Sequence, residues 1–262
     1  MRFAKNIFVC ENLILLCSRL TNEAQFDKVC EKGKVMEILF EDNHIIVVQK
    51  PQNVLSQGDE TGDQDMLGMV KNYIKEKYQK PGNVYVGLVH RLDRPTGGVM
   101  VFAKTSKAAT RLAEQIQNGD FKKEYLCVVC GHPRMKSDKL INYLEKDPKT
   151  NNVRIVPQSQ MNAKRAELDY VVQDEKDELS LVKVHLATGR SHQIRVQMAS
   201  IKCPIFGDYR YGKGEIGQGY NLALWAVKLS FLHPVTKERM TFKSLPPLAT
   251  PWKFFDIEKY VG

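Results

Sequence analysis

The stretch His90-Arg91-Leu92-Asp93-Arg94-Pro95-Thr96-Gly97-Gly98 runs directly into the apolar segment Val99–Ala103. Pro95 disfavours a helical conformation at Arg94, and the two glycines allow backbone angles or close approaches that a Cβ would prevent. An unbroken apolar run is typical of a strand that is covered on both faces of a sheet. The pattern therefore predicts that Asp93 is held at a fixed bend just before a buried strand.

Asp93 lies among basic side chains at this predicted bend. An opposite charge nearby stabilises an ionised carboxylate, so Arg91 and Arg94 favour a charged Asp93. A structural turn with a local salt bridge would have the same composition, since structural ion pairs also perturb carboxylates. On these residues alone, a reactive carboxylate and a structural turn are equally well supported.

A second basic stretch, Thr188–Arg195, reads T-G-R-S-H-Q-I-R and also begins at a glycine turn. Together the two stretches resemble the signatures of the RluA-type pseudouridine synthases, approximately H-R-L-D-x-x-T-S-G and T-G-R-x-H-Q-I-R. The resemblance covers about Val35 to Pro251, and two long motifs in order are far more specific than one short motif. Shorter family-like segments in family order are Leu39–Asp42, Val47–Pro51, Lys122–Tyr125, Gly207–Asp208, Tyr211–Gly212 and His233–Pro234.

Strand-like segments outnumber helix-like segments and do not alternate strictly with them. This order favours an α+β fold with a mixed, largely antiparallel β-sheet flanked by helices, and the resemblance identifies it as a pseudouridine synthase catalytic domain. The chain of 262 residues shows no repeat and no low-complexity linker. The simplest division is one catalytic domain over residues 35–262, after an N-terminal extension, residues 1–34, of uncertain structure. Many family members carry an S4 RNA-binding domain there, but its pattern is not matched here.

Apolar spacing and capping residues predict helices over Asp65–Tyr78, after Ser106 as N-cap, and from Ser191 as N-cap to Ile201. In the first helix, apolar residues at spacings of three and four, ending at Tyr78, are expected to face the core. Asp138–Ile155 is polar with short apolar pieces and is predicted to be loop-rich. The predicted strands lie within Val35–Lys50, Val84–Val89, Val99–Ala103, Phe121–Cys130, Ala166–Val172, Leu181–Leu186, Leu222–Leu232 and Met240–Lys243.

The resemblance implies an activity: isomerisation of uridine in RNA to pseudouridine, with a broken N-glycosidic bond and a new carbon–carbon glycosidic bond. It assigns the essential carboxylate to Asp93, a stacking and proton-moving phenol to Tyr125, and the basic partner of the carboxylate to Arg195. A carboxylate suits attack on, or stabilisation of, an electron-poor sugar carbon. A phenol suits stacking and proton transfer, and a guanidinium binds a carboxylate in two-point fashion. No metal or organic cofactor is implied.

Five further residues, Arg91, Arg94, Arg190, His192 and Leu224, are expected to contact RNA. An enzyme that acts on a base must extrude it at a cost of a few kcal/mol, and Arg91 is the candidate to fill the gap. Arg91, Arg94 and the basic partner would also offset the repulsion between the carboxylate and phosphates. Arg190 and His192 are expected at the RNA backbone, although a structural place at a helix start suits His192 nearly as well. Leu224 matches an apolar residue of the uracil pocket, with plain core as its alternative.

Two positions differ from the family pattern. The family's Thr-Ser-Gly is Thr96-Gly97-Gly98 here, which loses a hydroxyl group but keeps the turn. The usual Leu-His-Ala of a late strand is Leu224-Trp225-Ala226. Neither change touches Asp93, Tyr125 or Arg195, so both bear on substrate detail more than on activity.

The composition limits the partners and the compartment. The formal charge of +9, from 39 Lys+Arg and 30 Asp+Glu, suggests a polyanion such as nucleic acid, although many proteins are basic without one. No apolar run of about 18 residues predicts a membrane span. Six scattered cysteines show no zinc-site spacing and are expected to be reduced thiols of a cytoplasmic protein. The resemblance implies ribosomal or transfer RNA as the partner, and we further expect no membrane, no obligate protein partner, and a monomer.

Two other classes of function stay open at this point. A non-catalytic RNA-binding or ribosome-assembly factor could keep the fold, but it has no use for a carboxylate in a phosphate-facing groove. A hydrolase that uses Asp93 would need a second carboxylate, and none stands at a motif position. The combination of Asp93, Tyr125 and Arg195 favours the synthase.

Overall fold

The computed structural model describes residues 28–31, 34–212 and 217–261. The helices are α1 (Met66–Lys77), α2 (Ser106–Asn118), α3 (Gln193–Ser200) and α4 (Glu258–Val261), with a 3₁₀ turn at Trp252–Phe254. The strands are β1 (Lys28–Glu31), β2 (Lys34–Glu41), β3 (Ile45–Lys50), β4 (Gly87–Leu88), β5 (Gly97–Ala103), β6 (Lys122–Cys130), β7 (Ser137–Lys146), β8 (Val153–Val156), β9 (Lys164–Lys176), β10 (Leu179–Leu186), β11 (Leu224–Leu232) and β12 (Arg239–Lys243).

The twelve described strands form one sheet in the order β1-β2-β3-β5-β11-β6-β10-β9-β7-β8, while β12 pairs with β11 and β4 with β5. The pair β5–β11 is parallel, and the other pairs between described strands are antiparallel. This architecture confirms the predicted α+β fold with a mixed, largely antiparallel sheet. Most strand predictions match to within a few residues, but only β4 forms within Val84–Val89.

β5 lies in the centre of the sheet, and all of its residues are buried, as its apolar run predicted. Val99 and Val101 belong to the apolar cluster that includes Leu112 of α2. Met100 and Phe102 belong to the cluster that includes residues of α1 and α3. Since successive strand residues point to opposite faces, α2 covers one face of β5, and α1 and α3 pack on the other side.

α1 confirms the helix predicted over Asp65–Tyr78, since Asp65 is its N-cap and accepts a hydrogen bond from the backbone N–H of Gly68. The predicted apolar face is wrong at its end. Tyr78 is 46% exposed, whereas Tyr73 is buried. The reason is that Tyr78 is the C-cap residue, and its hydroxyl donates to Glu41 at 2.9 Å instead of entering the core.

The N-cap predicted for α2 is displaced by one residue. Thr105 is the N-cap, with an extended backbone and a side chain that accepts from the N–H of Ala108 at 3.2 Å. Ser106 is the first helical residue. Both residues carry a hydroxyl that can cap a helix, so composition alone did not separate them.

The hairpin of β7 and β8 corrects the loop-rich prediction for Asp138–Ile155. β7 pairs with β9 on one side and with β8 on the other. Most of its residues are exposed or half-buried, while Leu144 and Val153 pack against Val196 of α3. The hairpin was missed because two strands at the end of a sheet, with one largely solvated face, carry few apolar residues.

The predicted domain boundary lies inside the first hairpin of the sheet. β1 pairs with β2, so the described sheet begins at Lys28, upstream of residue 35. The rest of the expected extension lies outside the described residues, and the division at residue 35 stays a prediction. None of the described helices combines the length and apolar character that crossing a membrane requires.

Three of the six cysteines have side chains that the structure describes. Cys127, Cys130 and Cys203 are buried and free. Burial raises the pKa of each thiol, which for Cys130 reaches about 11. These three are therefore protonated thiols at neutral pH, as expected for them from the sequence.

Candidate active site

The candidate site lies where three central strands meet. Gly98 of β5 pairs with Ala226 of β11, and Ala226 pairs with Tyr125 of β6. The turn that carries Asp93 directly precedes β5, so it brings the carboxylate to the same part of the sheet as the phenol. Both side chains line one cavity of about 570 Å³, within the range of roughly 300–1,000 Å³ usual for small-molecule sites.

The fully buried Lys50 stabilises the turn that carries Asp93 through hydrogen bonds to the turn's backbone. Its Nζ donates to the backbone carbonyl oxygen of Arg94 at 3.0 Å and to that of Thr96 at 2.7 Å. The N–H of Thr96 in turn donates to the carbonyl oxygen of Asp93 at 2.9 Å. A buried ammonium is tolerated only where its protons are satisfied, so this lysine fixes the backbone on which the Asp93 carboxylate stands.

Arg195 makes its closest ion pair with a residue that was not given a role beforehand. Its Nε and Nη2 each donate to an Asp208 carboxylate oxygen at 2.7 Å, and the Asp208 side chain is fully buried. Its Nη1 lies 3.7 Å from Oδ2 of Asp93. The expected two-point pair with Asp93 is therefore wrong, because Asp208 occupies one edge of the guanidinium and leaves Asp93 a single, longer contact.

The charge of Arg195 is fixed by these carboxylates. Burial alone would lower the pKa of the guanidinium, but the hydrogen bonds and charge of Asp208, with the charge of Asp93, raise it overall. The guanidinium is thus a permanent cation beside Asp93. Its single positive charge is shared between Asp208 at 2.7 Å and Asp93 at 3.7 Å, so it offsets the charge of Asp93 only in part.

Tyr211 connects this ion pair with the start of α3. Its ring lies 5.1 Å from Cζ of Arg195, and its hydroxyl is 2.7 Å from Nδ1 of His192. The hydroxyl oxygen also accepts from the N–H of Val153 at 3.0 Å. Burial lowers the pKa of His192, with Arg195 adding to the shift and Asp93 opposing it, which favours the neutral ring.

The start of α3 differs from the prediction at Ser191. The helix begins at Gln193, and His192 before it has a left-handed backbone with φ 51° and no capping side-chain bond. The Gln193 side-chain oxygen instead accepts from the N–H of Arg190 at 3.0 Å and from the hydroxyl of Thr188 at 2.8 Å. The side chain of Gln193, the first residue of α3, thus holds together the loop of the second signature. Ser191 is not the N-cap.

Tyr125 and Leu224 form an apolar wall of the cavity beside Asp93. Tyr125 is 6% exposed and Leu224 is 3% exposed, and both line the cavity. Burial, and then the negative charge of Asp93, raise the pKa of the Tyr125 phenol. The phenol is therefore protonated at neutral pH, and its ring offers an apolar face to a planar ligand.

Seven of the eight predicted site residues line the cavity, and Arg94 does not. Arg94 extends to Asp63, with 2.7 Å between Nη2 and Oδ2, and its side chain is 45% exposed. Arg94 follows Asp93 in the turn that the N–H of Thr96 closes on the carbonyl oxygen of Asp93, and its side chain points to Asp63. It therefore does not offset the charge of Asp93 as predicted. The residues that do line the cavity are Arg91, Asp93, Tyr125, Arg190, His192, Arg195 and Leu224.

Sequence reasoning missed three side chains that matter to this site. Lys50 and Asp208 lay within family-like segments, but no role was given to either of them. Lys123, two residues before the phenol of Tyr125, also lines the cavity. The available signals were a lysine before a proline, an acid after a glycine turn, and the two-residue spacing that places Lys123 on the strand face of Tyr125.

The two departures from the family pattern are in contact with each other. A Cβ added at Gly97 would lie 2.1 Å from Cζ3 of Trp225, which no side chain can accommodate without movement. Trp225 is buried, and its Nε1 donates to Ser244 at 3.0 Å. The missing side chain at Gly97 therefore leaves the space that the large ring of Trp225 occupies. Neither residue changes the set of side chains around Asp93.

Replacing Gly97 by Ala is expected to lower the free energy of unfolding by about 2–3 kcal/mol, because the extra methyl group overpacks the site. In a Trp225→His background, the same change should cost at least about 1 kcal/mol less, since contacting residues couple. Urea unfolding of the four proteins measures the coupling. Additive effects, within about 0.5 kcal/mol, would show that the two positions are independent.

Comparison with known proteins assigns the chain to a family. The RNA pseudouridylate synthase family model matches residues 44–200. The chain is 34% identical over 218 residues to the uncharacterized RNA pseudouridine synthase YhcT of Bacillus subtilis (strain 168), covering 82% of this chain and 70% of that protein. It is 33% identical over 226 residues to ribosomal large subunit pseudouridine synthase D of Vibrio cholerae, covering 81% of this chain and 68% of that protein.

Two solved structures with the same fold are those of human proteins. The chain aligns with human RNA pseudouridylate synthase domain containing 4 at a TM-score of 0.67 and 22% identity, covering 80% of this chain and 88% of that one. It aligns with human RNA pseudouridylate synthase domain containing 1 at a TM-score of 0.66 and 23% identity, covering 82% and 84%. These two likenesses establish the fold of the described sheet.

Proposed function

The chain belongs to the RNA pseudouridylate synthase family and is an RNA pseudouridine synthase, and we propose that it isomerises one or a few uridines of ribosomal RNA with Asp93 as the essential carboxylate. One observation carries the proposal for Asp93. Among the described residues that line the cavity, Asp93 is the only carboxylate, and it faces a buried arginine and a buried phenol.

The proposed reaction needs no co-reactant. The bond between N1 of uracil and C1′ of ribose breaks, and a bond between C5 and C1′ forms. C5 loses a proton and N1 gains one, so atoms and charges balance. The Asp93 carboxylate suits the electron-poor C1′, the Tyr125 ring suits a stacked uracil, and its protonated hydroxyl suits the movement of a proton.

The charges on the cavity suit RNA. Four cationic side chains and one carboxylate line it. Arg91 and Arg190 are exposed, so they can meet a phosphate backbone or fill the gap left by an extruded nucleotide. Ribosomal RNA is favoured because several relatives are named ribosomal large subunit pseudouridine synthase D. Transfer RNA, a monomeric state, the lack of an obligate protein partner and a cytoplasmic location stay predictions.

The test is pseudouridine mapping of total RNA from a strain that lacks the gene, with rescue by the wild type and by Asp93→Ala. We expect one or a few ribosomal uridines to lose the modification and only the wild type to restore it. Loss at transfer RNA sites alone would contradict the ribosomal substrate. Full restoration by Asp93→Ala would contradict the role of Asp93 and favour a non-catalytic RNA-binding factor.

A further inference from the structure

Among the described residues that line the cavity, Lys123 is a cation that the proposed reaction leaves unused. It projects from β6 into the cavity, which it shares with Leu88, Ile116 and Leu186. Within the described part of the chain, its Nζ makes no hydrogen bond and no ion pair. Burial lowers the pKa of its ammonium group. Lys123 is half-buried, and an unpaired cation that faces the cavity is a place where an anionic group of a ligand can bind.

The surroundings of Lys123 offer it no anion of the protein. A Cβ added at Gly189 would lie 3.0 Å from Nζ, so the ammonium lies against the bare backbone of the second signature. The neighbouring His90 is neutral, because burial, and then the charge of Lys123, lower its pKa to about 3. The Nε2 of His90 accepts from the N–H of Val101 at 3.1 Å. Its buried Nδ1 has no partner among the described residues, and the neutral ring gives Lys123 no anionic partner.

The spacing between Lys123 and Tyr125 matches a nucleotide lying along β6. Residues two apart on a strand share a face, and their Cα atoms are about 6.5 Å apart. If a uracil stacks on Tyr125, the neighbouring backbone of that nucleotide lies within reach of a lysine side chain. The carboxylate of Asp93 would repel a phosphate, and a cation at Lys123 provides a separate place for it inside the cavity.

We propose that Lys123 binds a backbone phosphate next to the target uridine, as a phosphate subsite within the cavity, formed with the glycine backbone at Gly189. This subsite rests on the proposed function, since it requires that RNA enters the cavity. It makes Lys123 a substrate-positioning residue. The exposed arginines at the same cavity would hold the more distant backbone.

The test compares Lys123→Met with Lys122→Met, a matched change of the adjacent exposed lysine on the opposite face of β6. The probe is an unmodified large-subunit ribosomal RNA transcript. Binding is measured by filter retention between about 50 and 200 mM salt, and pseudouridine formation by steady-state kinetics. Each phosphate contact to a single strand contributes about 0.7 to the slope of log affinity against log salt.

For Lys123→Met we expect the salt slope to fall by about 0.7 and KM to rise by about 10-fold or more, the loss of one charged hydrogen bond. The kcat should change much less, Lys123→Arg should recover most of the KM, and Lys122→Met should resemble the wild type. An unchanged slope with a lower kcat would overturn the phosphate subsite and assign Lys123 to the chemical step. An unchanged slope and unchanged kinetics would overturn it as well.

The binding measurement and the kinetic measurement together distinguish a failure of this subsite from a failure of the proposed function. Salt-dependent binding requires no turnover, so a wild type that binds the transcript without modifying it would count against the ribosomal substrate alone. A wild type that shows no RNA binding would overturn both. A normal activity of Lys123→Met at all RNA concentrations would overturn the subsite alone.

Discussion

Replacing Asp93 by Asn is expected to lower the rate of pseudouridine formation by at least about 10³-fold, within the range found when a catalytic acid or base is removed. Asn has almost the same shape, so the cavity keeps its size. The contacts that fix the turn, from Lys50 and from the N–H of Thr96, end on backbone carbonyl oxygens and not on the carboxylate. The change therefore removes a negative charge and little else.

RNA affinity separates this loss from a binding defect. A carboxylate in a cavity that carries four cations repels phosphates, so Asp93→Asn should bind RNA as tightly as the wild type or more tightly. The measurements are single-turnover rates at saturating protein, equilibrium binding, and urea unfolding. We expect the free energy of unfolding to change by less than about 1 kcal/mol.

Asp63→Asn is the matched control. It also removes one carboxylate close to the turn, but Asp63 is 49% exposed and pairs with Arg94 outside the cavity. An exposed ion pair is worth at most about 1 kcal/mol, so the rate should stay within about fivefold of the wild type. If Asp93→Asn kept a tenth of the wild-type rate, or if both variants lost the same activity, the assignment of the carboxylate would fail.

The sequence predicted the parts of this site that depend on local order. The apolar run of β5, the bend before it and the placement of Tyr125 on a strand follow from neighbours within a few residues, and the structure contains all three. The family resemblance then placed Asp93, Tyr125 and Arg195 together, and all three line one cavity.

What the sequence did not predict depends on contacts between distant segments. Arg195 forms its two-point ion pair with Asp208 and not with Asp93, because the Asp208 carboxylate is the one that reaches the Nε edge of the guanidinium. That position depends on how α3 packs against the turn that follows it. The contact of Gly97 with Trp225 arises because β5 and β11 pair in parallel, although 128 positions separate the two residues. Periodicity carries no information on such pairs.

Replacing Arg195 by Met should abolish activity and also destabilise the protein. The Asp208 side chain is fully buried and would lose its two charged hydrogen bonds. Leaving one member of a buried ion pair uncompensated costs about 3–5 kcal/mol. A loss of activity in this variant alone would therefore not separate a catalytic role of Arg195 from a structural one.

The double variant Arg195→Met/Asp208→Asn separates them. Asn keeps an oxygen that can accept from the N–H groups of Arg210 and Tyr211, as Asp208 does at 3.0 and 3.2 Å, but it carries no charge that needs a partner. We expect urea unfolding to show that about 2 kcal/mol or more of the lost stability returns, since the uncompensated buried charge is gone.

Activity should not return with stability, because Asp93 still lacks the cation whose Nη1 lies 3.7 Å from it. Single-turnover rates of the wild type, the two single variants and the double variant complete the cycle. A double variant that regained both stability and at least a tenth of the rate would show that Arg195 only neutralises Asp208. A double variant that is stable, binds RNA and remains inactive would establish that the guanidinium acts on the carboxylate, because neither misfolding nor lost RNA binding could then account for the lost rate.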